Sequence, residues 1–110
     1  MKLPNADRAF IEIEKLRSYC LNLQHPRGKN KARVFASLLG LAPDDSEVLR
    51  DAILKAALVE EAGHGERDGF GQRYTVDFQM AGPKKNVTVR SAWIIRTEED
   101  FPRLTSCYIL

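Results

Sequence analysis

The chain has 110 residues, 44% of them hydrophobic and 29% charged, a composition that fits one soluble globular domain with its own core and is too short for two. No apolar run approaches the roughly 20 residues that a membrane-spanning helix requires, and Met1-Lys2-Leu3-Pro4-Asn5-Ala6-Asp7 turns polar too early for a secretory leader. The net charge of +2 is too mild to establish nucleic-acid binding and conceals an asymmetry: residues 1–40 carry eight Lys/Arg against three Asp/Glu, residues 41–68 three against eight, and residues 69–110 six against four.

In chain order, Ala9-Phe10-Ile11 reads as a short extended segment. From Glu12, the residues Leu16, Tyr19, Cys20 and Leu23 recur at i, i+3, i+4 and i+7, the stripe of a helix that Pro26 and Gly28 break. A second helix is expected from about Gly28 to Leu39, with Ala32, Phe35, Leu38 and Leu39 inward and Gly40 as its stop. Pro43-Asp44-Asp45-Ser46-Glu47 starts a third, acidic helix that buries Val48, Leu49, Ala52, Ile53, Ala56 and Ala57 and ends near Ala62-Gly63. Gly63-His64-Gly65-Glu66-Arg67-Asp68 reads as a flexible loop, and its glycines make no nucleotide loop because no strand precedes them.

Beyond Gly71 the period changes to 2. Tyr74, Val76 and Phe78 alternate with Arg73, Thr75 and Asp77, and 81–86 is a hairpin connection to a return strand over 87–95. A last strand covers 103–109, where strict alternation puts Arg103, Thr105 and Cys107 on one face and Leu104, Ser106 and Tyr108 on the other. Helices followed by strands predict an α+β fold: about three helices, over roughly residues 1–62, packed on one face of an antiparallel sheet of three or four strands over about 69–110. Cys20 and Cys107 match no metal spacing and read as buried free thiols in a reducing cytoplasm.

Three patches are rich in groups that contact phosphate. In Gln24-His25-Pro26-Arg27-Gly28-Lys29-Asn30-Lys31-Ala32-Arg33, one of only two histidines sits among four cations, and an imidazole titrating near neutrality is suited to move a proton beside a bound anion. Gly69-Phe70-Gly71-Gln72-Arg73-Tyr74 combines glycines with the bidentate fork of Arg73. Arg103-Leu104-Thr105-Ser106-Cys107-Tyr108 supplies a cation and three hydroxyls. No metal ligand set, cofactor motif or Ser/Cys nucleophile motif is present.

The order Leu3-Pro4-Asn5, Lys15-Leu16, His25-Pro26-x-Gly28-x-x-Lys31-Ala32, Phe35, Leu39-Gly40, Gly71-x-Arg73-Tyr74, Ala92-Trp93 and Arg103-Leu104-Thr105-Ser106-x-Tyr108 resembles an uncharacterised bacterial family of short stand-alone proteins and polymorphic-toxin C-terminal domains. That family's layout is similar to the barnase–EndoU–colicin–RelE class of small ribonucleases. The resemblance implies metal-independent RNA cleavage by attack of the 2′-hydroxyl on the adjacent phosphate. His25 would be the general acid/base, with Arg73 and Thr105 completing the catalytic group and the general base otherwise unassigned. Lys31, Arg103, Ser106 and Tyr108 would bind substrate, and Trp93 or Tyr74 would stack on a base. Such a toxin is held in check by a cognate immunity or antitoxin protein. On this reading His25, Arg73 and Thr105 converge within a few ångströms. The alternative is a non-enzymatic protein-binding module of a toxin–antitoxin or immunity-type pair, in which the basic segment and the acidic helix each meet a partner. The sequence leaves the oligomeric state open.

Overall fold

The computed structural model describes residues 1–110 as a helical layer followed by a four-stranded antiparallel meander, β1-β2-β3-β4. After a 3₁₀ turn at Ala6–Arg8, Phe10 adds to the sheet as a parallel bridge to Arg103: its N–H donates to the Pro102 carbonyl (2.8 Å) and its carbonyl accepts from Leu104 N–H (3.0 Å). The extended segment expected at 9–11 is thus a local fifth partner for the edge of the sheet.

The first helix is shorter than its stripe implies. It comprises one α turn, α1 (Ile13–Lys15), continued by a π turn over Leu16–Cys20 that closes with Leu21 N–H donating to the Leu16 carbonyl (2.9 Å). Leu16 and Cys20 are buried, but Leu23 is exposed. The wider π turn shifts the phase of the residues after it, so Leu23 leaves the stripe. Helix α2 (Lys29–Leu39) buries Ala32 and Phe35 and ends on Gly40 in the left-handed region (φ +67), the C-terminal stop that glycine favours. Helix α3 (Ser46–Val59), entered through a 3₁₀ turn at Pro43–Asp45, buries Leu49, Ile53, Ala56 and Ala57. It ends before 62–63, and Val48 lies on its exposed side rather than in the core.

The sheet begins earlier than the alternation suggests. Residues 63–68, expected as a loop, belong to strand β1 (Ala62–Asp68), which pairs with β2 (Gly71–Ala81) and has an irregularity between His64 and Arg67. His64 packs on Tyr74 with ring centroids 5.3 Å apart. An outermost strand takes its order from the backbone ladder on one side, so it needs no hydrophobic alternation. Strands β3 (Asn86–Arg96) and β4 (Arg103–Ile109) complete the sheet.

The helices cover one face, where Tyr74, Val76, Phe78, Val87, Val89, Trp93, Leu104 and Cys107 join Leu16, Phe35, Leu49 and Ile53 in one core. Trp93 is 1% exposed, and its Nε1–H donates to Ser91 Oγ (2.9 Å), which itself donates to the Val76 carbonyl (2.8 Å). Removing that hydroxyl strands a buried indole donor. Ser91→Ala is therefore expected to lower stability by about 1–3 kcal/mol in chemical denaturation; a loss below about 0.5 kcal/mol would show the relay to be unimportant. Cys20 and Cys107 are both free and buried in this core. A hydrogen bond from the Cys107 thiol holds the Cys20 thiol down to about 7, and the same contact with burial pushes the Cys107 thiol up.

Candidate functional site

The opposite face of the sheet carries no helix. Register places three rows across β2, β3 and β4: Arg73–Ile94–Arg103, Thr75–Ala92–Ser106, and Asp77–Arg90–Tyr108. Successive rows lie about 6.8 Å apart, two residues along a strand. The middle row is small, so it forms a floor between a row that carries two arginines and a row that carries the Arg90–Asp77 ion pair and Tyr108.

The composition of that face depends on a bulge. Ala92 faces Ser106 while Trp93 faces Leu104, which leaves Thr105 as an extra residue in β4. Its Oγ1 donates to the Ala92 carbonyl (3.1 Å). The bulge corrects the strict alternation read from the sequence. Leu104 and Cys107 share the inner face, and Arg103, Ser106 and Tyr108 all belong to the outer one. One residue of slip thus gathers three expected substrate-binding residues on a single surface.

At one end of the face a cleft of about 410 Å³ is lined by Gly69, Phe70, Arg73, Ile94, Arg96, Glu98 and Thr105. It runs into a smaller hollow that shares Ile94, Arg96 and Thr105 and adds Lys15, Glu12 and Arg103. Arg73 and Thr105 are therefore brought together. Arg73 has a loose ion pair with Asp68 (3.5 Å). That carboxylate is held below its usual range first by the N–H of Phe70, then by the N–H of Gly71 and by Arg73 itself. Arg103 is more committed: Nε and Nη2 donate to the two Glu99 oxygens at 2.7 and 2.8 Å, and its guanidinium lies 5.0 Å from the rings of Phe10 and Phe101. Those bonds hold the Glu99 carboxyl below its ordinary value.

At the other end, Arg90 donates from Nε and Nη2 to both Asp77 oxygens at 2.8 Å, which raises the guanidinium and lowers the carboxyl. Lys31, from the exposed side of α2, reaches over β4 and sets Nζ 4.4 Å from the centre of the Tyr108 ring. Lys31 and Tyr108 are thus joined.

His25 does not line the Arg73–Thr105 cleft. It belongs to the approach to α2, where its carbonyl accepts the N–H of Lys29 and its ring lies 4.6 Å from that of Tyr19. Its Nδ1 accepts from the N–H groups of Arg27 (3.1 Å) and Gly28 (3.0 Å). With Nδ1 an acceptor, the proton is on Nε2, so this imidazole is a hydrogen-bond donor toward any ligand. Gly28 is required here because a Cβ would stand 2.6 Å from the Tyr19 ring. The expected convergence of His25, Arg73 and Thr105 therefore reduces to two of the three.

Trp93 and Tyr74 are core residues whose buried rings present no face to a base. Arg90, Arg96, Lys15, Phe70 and Glu98 were not singled out as site residues by the sequence reasoning. The outward parity of Arg90 and Arg96, opposite to Val89, Ser91 and Trp93 on the same strand, is the signal that identifies those two. No three His, Cys, Asp or Glu side chains come together in a metal-ligating arrangement, and no helix is long and apolar enough to cross a membrane.

A chain of the contact-dependent growth inhibition toxin–immunity protein complex from Klebsiella pneumoniae 342 is similar in structure, with a TM-score of 0.68 over 96% of this chain and 96% of that one, at 15% sequence identity. At that identity the likeness establishes the fold. Comparison with curated proteins gives no match. Residues 2–110 match the family described as a domain of unknown function, DUF6883, and the chain belongs to that family.

Proposed function

We propose that this chain is a toxin-type domain that binds RNA across the uncovered face of its sheet and cleaves it without a metal, by attack of a 2′-hydroxyl on the adjacent phosphate. The observation that carries the reading is the floor of Thr75, Ala92 and Ser106 between the Arg73–Arg103 row on one side and Arg90 with Lys31, seated over Tyr108, on the other. A phosphate seated over Ala92 and Ser106 is within side-chain reach of Arg73 on one side and of Arg90, Tyr108 and Lys31 on the other. Preorganised guanidinium and ammonium groups stabilise the charge that builds on a pentavalent phosphorus. The Ser106 hydroxyl orients the phosphate. Thr105 Oγ1, its own proton held by the Ala92 carbonyl, accepts a hydrogen bond from the 2′-hydroxyl, whose proton passes to solvent on attack, and His25 offers its Nε2 proton to the leaving oxygen.

The likeness to a chain of a toxin–immunity complex supports a toxin- or immunity-type role. A cognate immunity protein that occludes this face would silence the activity, and RNA in the cytoplasm is the target.

The test incubates purified wild type, His25→Ala and Arg73→Ala with tRNA, rRNA and mRNA in EDTA and examines the ends for 2′,3′-cyclic phosphate. Cleavage by wild type that both substitutions suppress supports the reading with its named residues. Cleavage lost only in Arg73→Ala removes His25 from the chemistry. Absence of cleavage on every substrate overturns the enzyme and leaves the protein-binding module, in which the cations of this face recognise an acidic partner.

A further inference from the structure

Phe70 is the most exposed of the large apolar side chains, 73% exposed, at the tip of the β1–β2 hairpin. Its backbone is nevertheless fixed from two sides. Asp68 Oδ1 accepts the N–H of Phe70 (2.9 Å) and of Gly71 (3.3 Å). From β3's end, Thr97 N–H donates to the Phe70 carbonyl (3.1 Å), and Thr97 Oγ1 donates to the Gly69 carbonyl (3.1 Å). A phenyl ring that adds nothing to the core is thus carried on an immobilised turn.

The same 410 Å³ cleft is lined by Glu98 and Arg96. Neither group belongs to any of the molecule's eight ion pairs, so both face the cleft without a charged partner within 4 Å. An aromatic platform, a free carboxylate and a free guanidinium around one cavity, next to the proposed phosphate floor, match the parts of a nucleotide: a π-face, a donor-bearing base edge and a phosphate.

We infer that the Phe70–Glu98 cleft is a nucleobase subsite, one nucleotide along from the phosphate over Ala92 and Ser106; this rests on the RNA-cleaving reading of the same face. The unpaired base stacks on Phe70, Glu98 accepts hydrogen bonds from its Watson–Crick edge, and Arg96 takes the flanking phosphate. A carboxylate selects a base with an amino group on that edge, adenine, cytosine or guanine, over uracil. Guanine alone offers N1–H and N2–H₂ side by side to both oxygens.

The test uses non-cleavable 2′-O-methyl RNA hexamers rich in each of the four bases, titrated against wild type, Phe70→Ala, Phe70→Trp and Glu98→Gln, with cleavage sites on a mixed-sequence RNA mapped in parallel. Phe70→Ala is expected to weaken hexamer binding by about 5- to 150-fold, the equivalent of one lost base stack, while Phe70→Trp retains it. Glu98→Gln is expected to narrow the preference over the uracil-rich hexamer by about tenfold and to broaden the mapped cleavage sites. A guanine preference above adenine and cytosine identifies the bidentate edge, and equal binding of those three identifies a single amino contact.

Cleavage by wild type with hexamer affinities and cleavage sites that Phe70→Ala and Glu98→Gln leave unchanged would overturn the subsite while keeping the ribonuclease. Hexamer binding that weakens on Phe70→Ala with no cleavage by any protein would keep the subsite as a binding site and overturn the catalysis. Absence of both binding and cleavage in wild type would overturn both.

Discussion

Gly71→Ala is expected to destabilise the protein by about 3–5 kcal/mol, the sum of a strained backbone and an overpacked contact. Gly71 has φ +148, a region that side chains with a Cβ rarely occupy. It also lies opposite Arg96 at the start of the β2–β3 ladder, where an added Cβ would fall inside the Ile95 carbonyl oxygen and 2.8 Å from Arg96 Cα. Both obstacles are backbone atoms of β3, so no rotamer change relieves them. Against a total stability of about 5–15 kcal/mol, the melting temperature would fall by roughly 15 °C. Gly69→Ala is the matched control: its Cβ would meet no atom within 4 Å, and its effect should stay within about 0.5 kcal/mol. Equal melting temperatures for the two variants would show that the turn relaxes freely, and would remove the rigidity on which the presentation of Phe70 rests.

The elements with strong periodicity were legible without coordinates, and those without it were not. Phe35 and Ala32 mark the buried side of α2, and the alternation of Tyr74, Val76 and Phe78 marks β2, because each element packs one face against a common core. Strand β1 has no such mark. Six of its seven residues are exposed, and its place in the sheet comes from hydrogen bonds that glycine and charged residues make as well as any other. The first helix misled because a π turn and an α turn have the same composition, and only the burial of Leu16 and Cys20 beside an exposed Leu23 reveals which one formed.

For which residues the fold brings onto one face, residue type was a better guide than spacing. Arg73, Thr105, Ser106, Tyr108 and Lys31 were identified as polar groups in basic or hydroxyl-rich runs, and the fold gathers them along one face. Their relative placement was not legible, since it depends on the bulge at Thr105, which no local residue preference signals. His25 shows the converse limit. A histidine among cations reads as chemistry, whereas its Nδ1 has a structural partner in two backbone N–H groups, a bond that depends on how the chain turns at Pro26.

The two arginines of the same row should then differ sharply in function. On the proposed RNA-cleaving reading of this face, Arg73→Ala is expected to reduce cleavage in EDTA by about 10²–10³-fold, the loss expected on removing one donor from a developing oxyanion. Its guanidinium is half-exposed and tied only loosely to Asp68, so it can turn toward the phosphate floor. Asp68 in turn accepts the turn N–H groups and does not depend on Arg73, so the variant should melt with wild type. Arg73→Lys keeps the charge and loses the fork, and an intermediate defect of about tenfold is expected. Arg103, although it sits in the closing motif, has Nε and Nη2 engaged by Glu99 and its plane held between Phe10 and Phe101. Arg103→Ala should therefore lower stability by about 1–2 kcal/mol through lost packing and a stranded Glu99, and reduce cleavage by no more than about tenfold once folded protein is counted. Cleavage rates paired with thermal melts separate the two effects. A larger catalytic loss in Arg103→Ala than in Arg73→Ala, at equal folded fraction, would move the scissile phosphate off the Ala92–Ser106 floor and into the hollow beside Lys15.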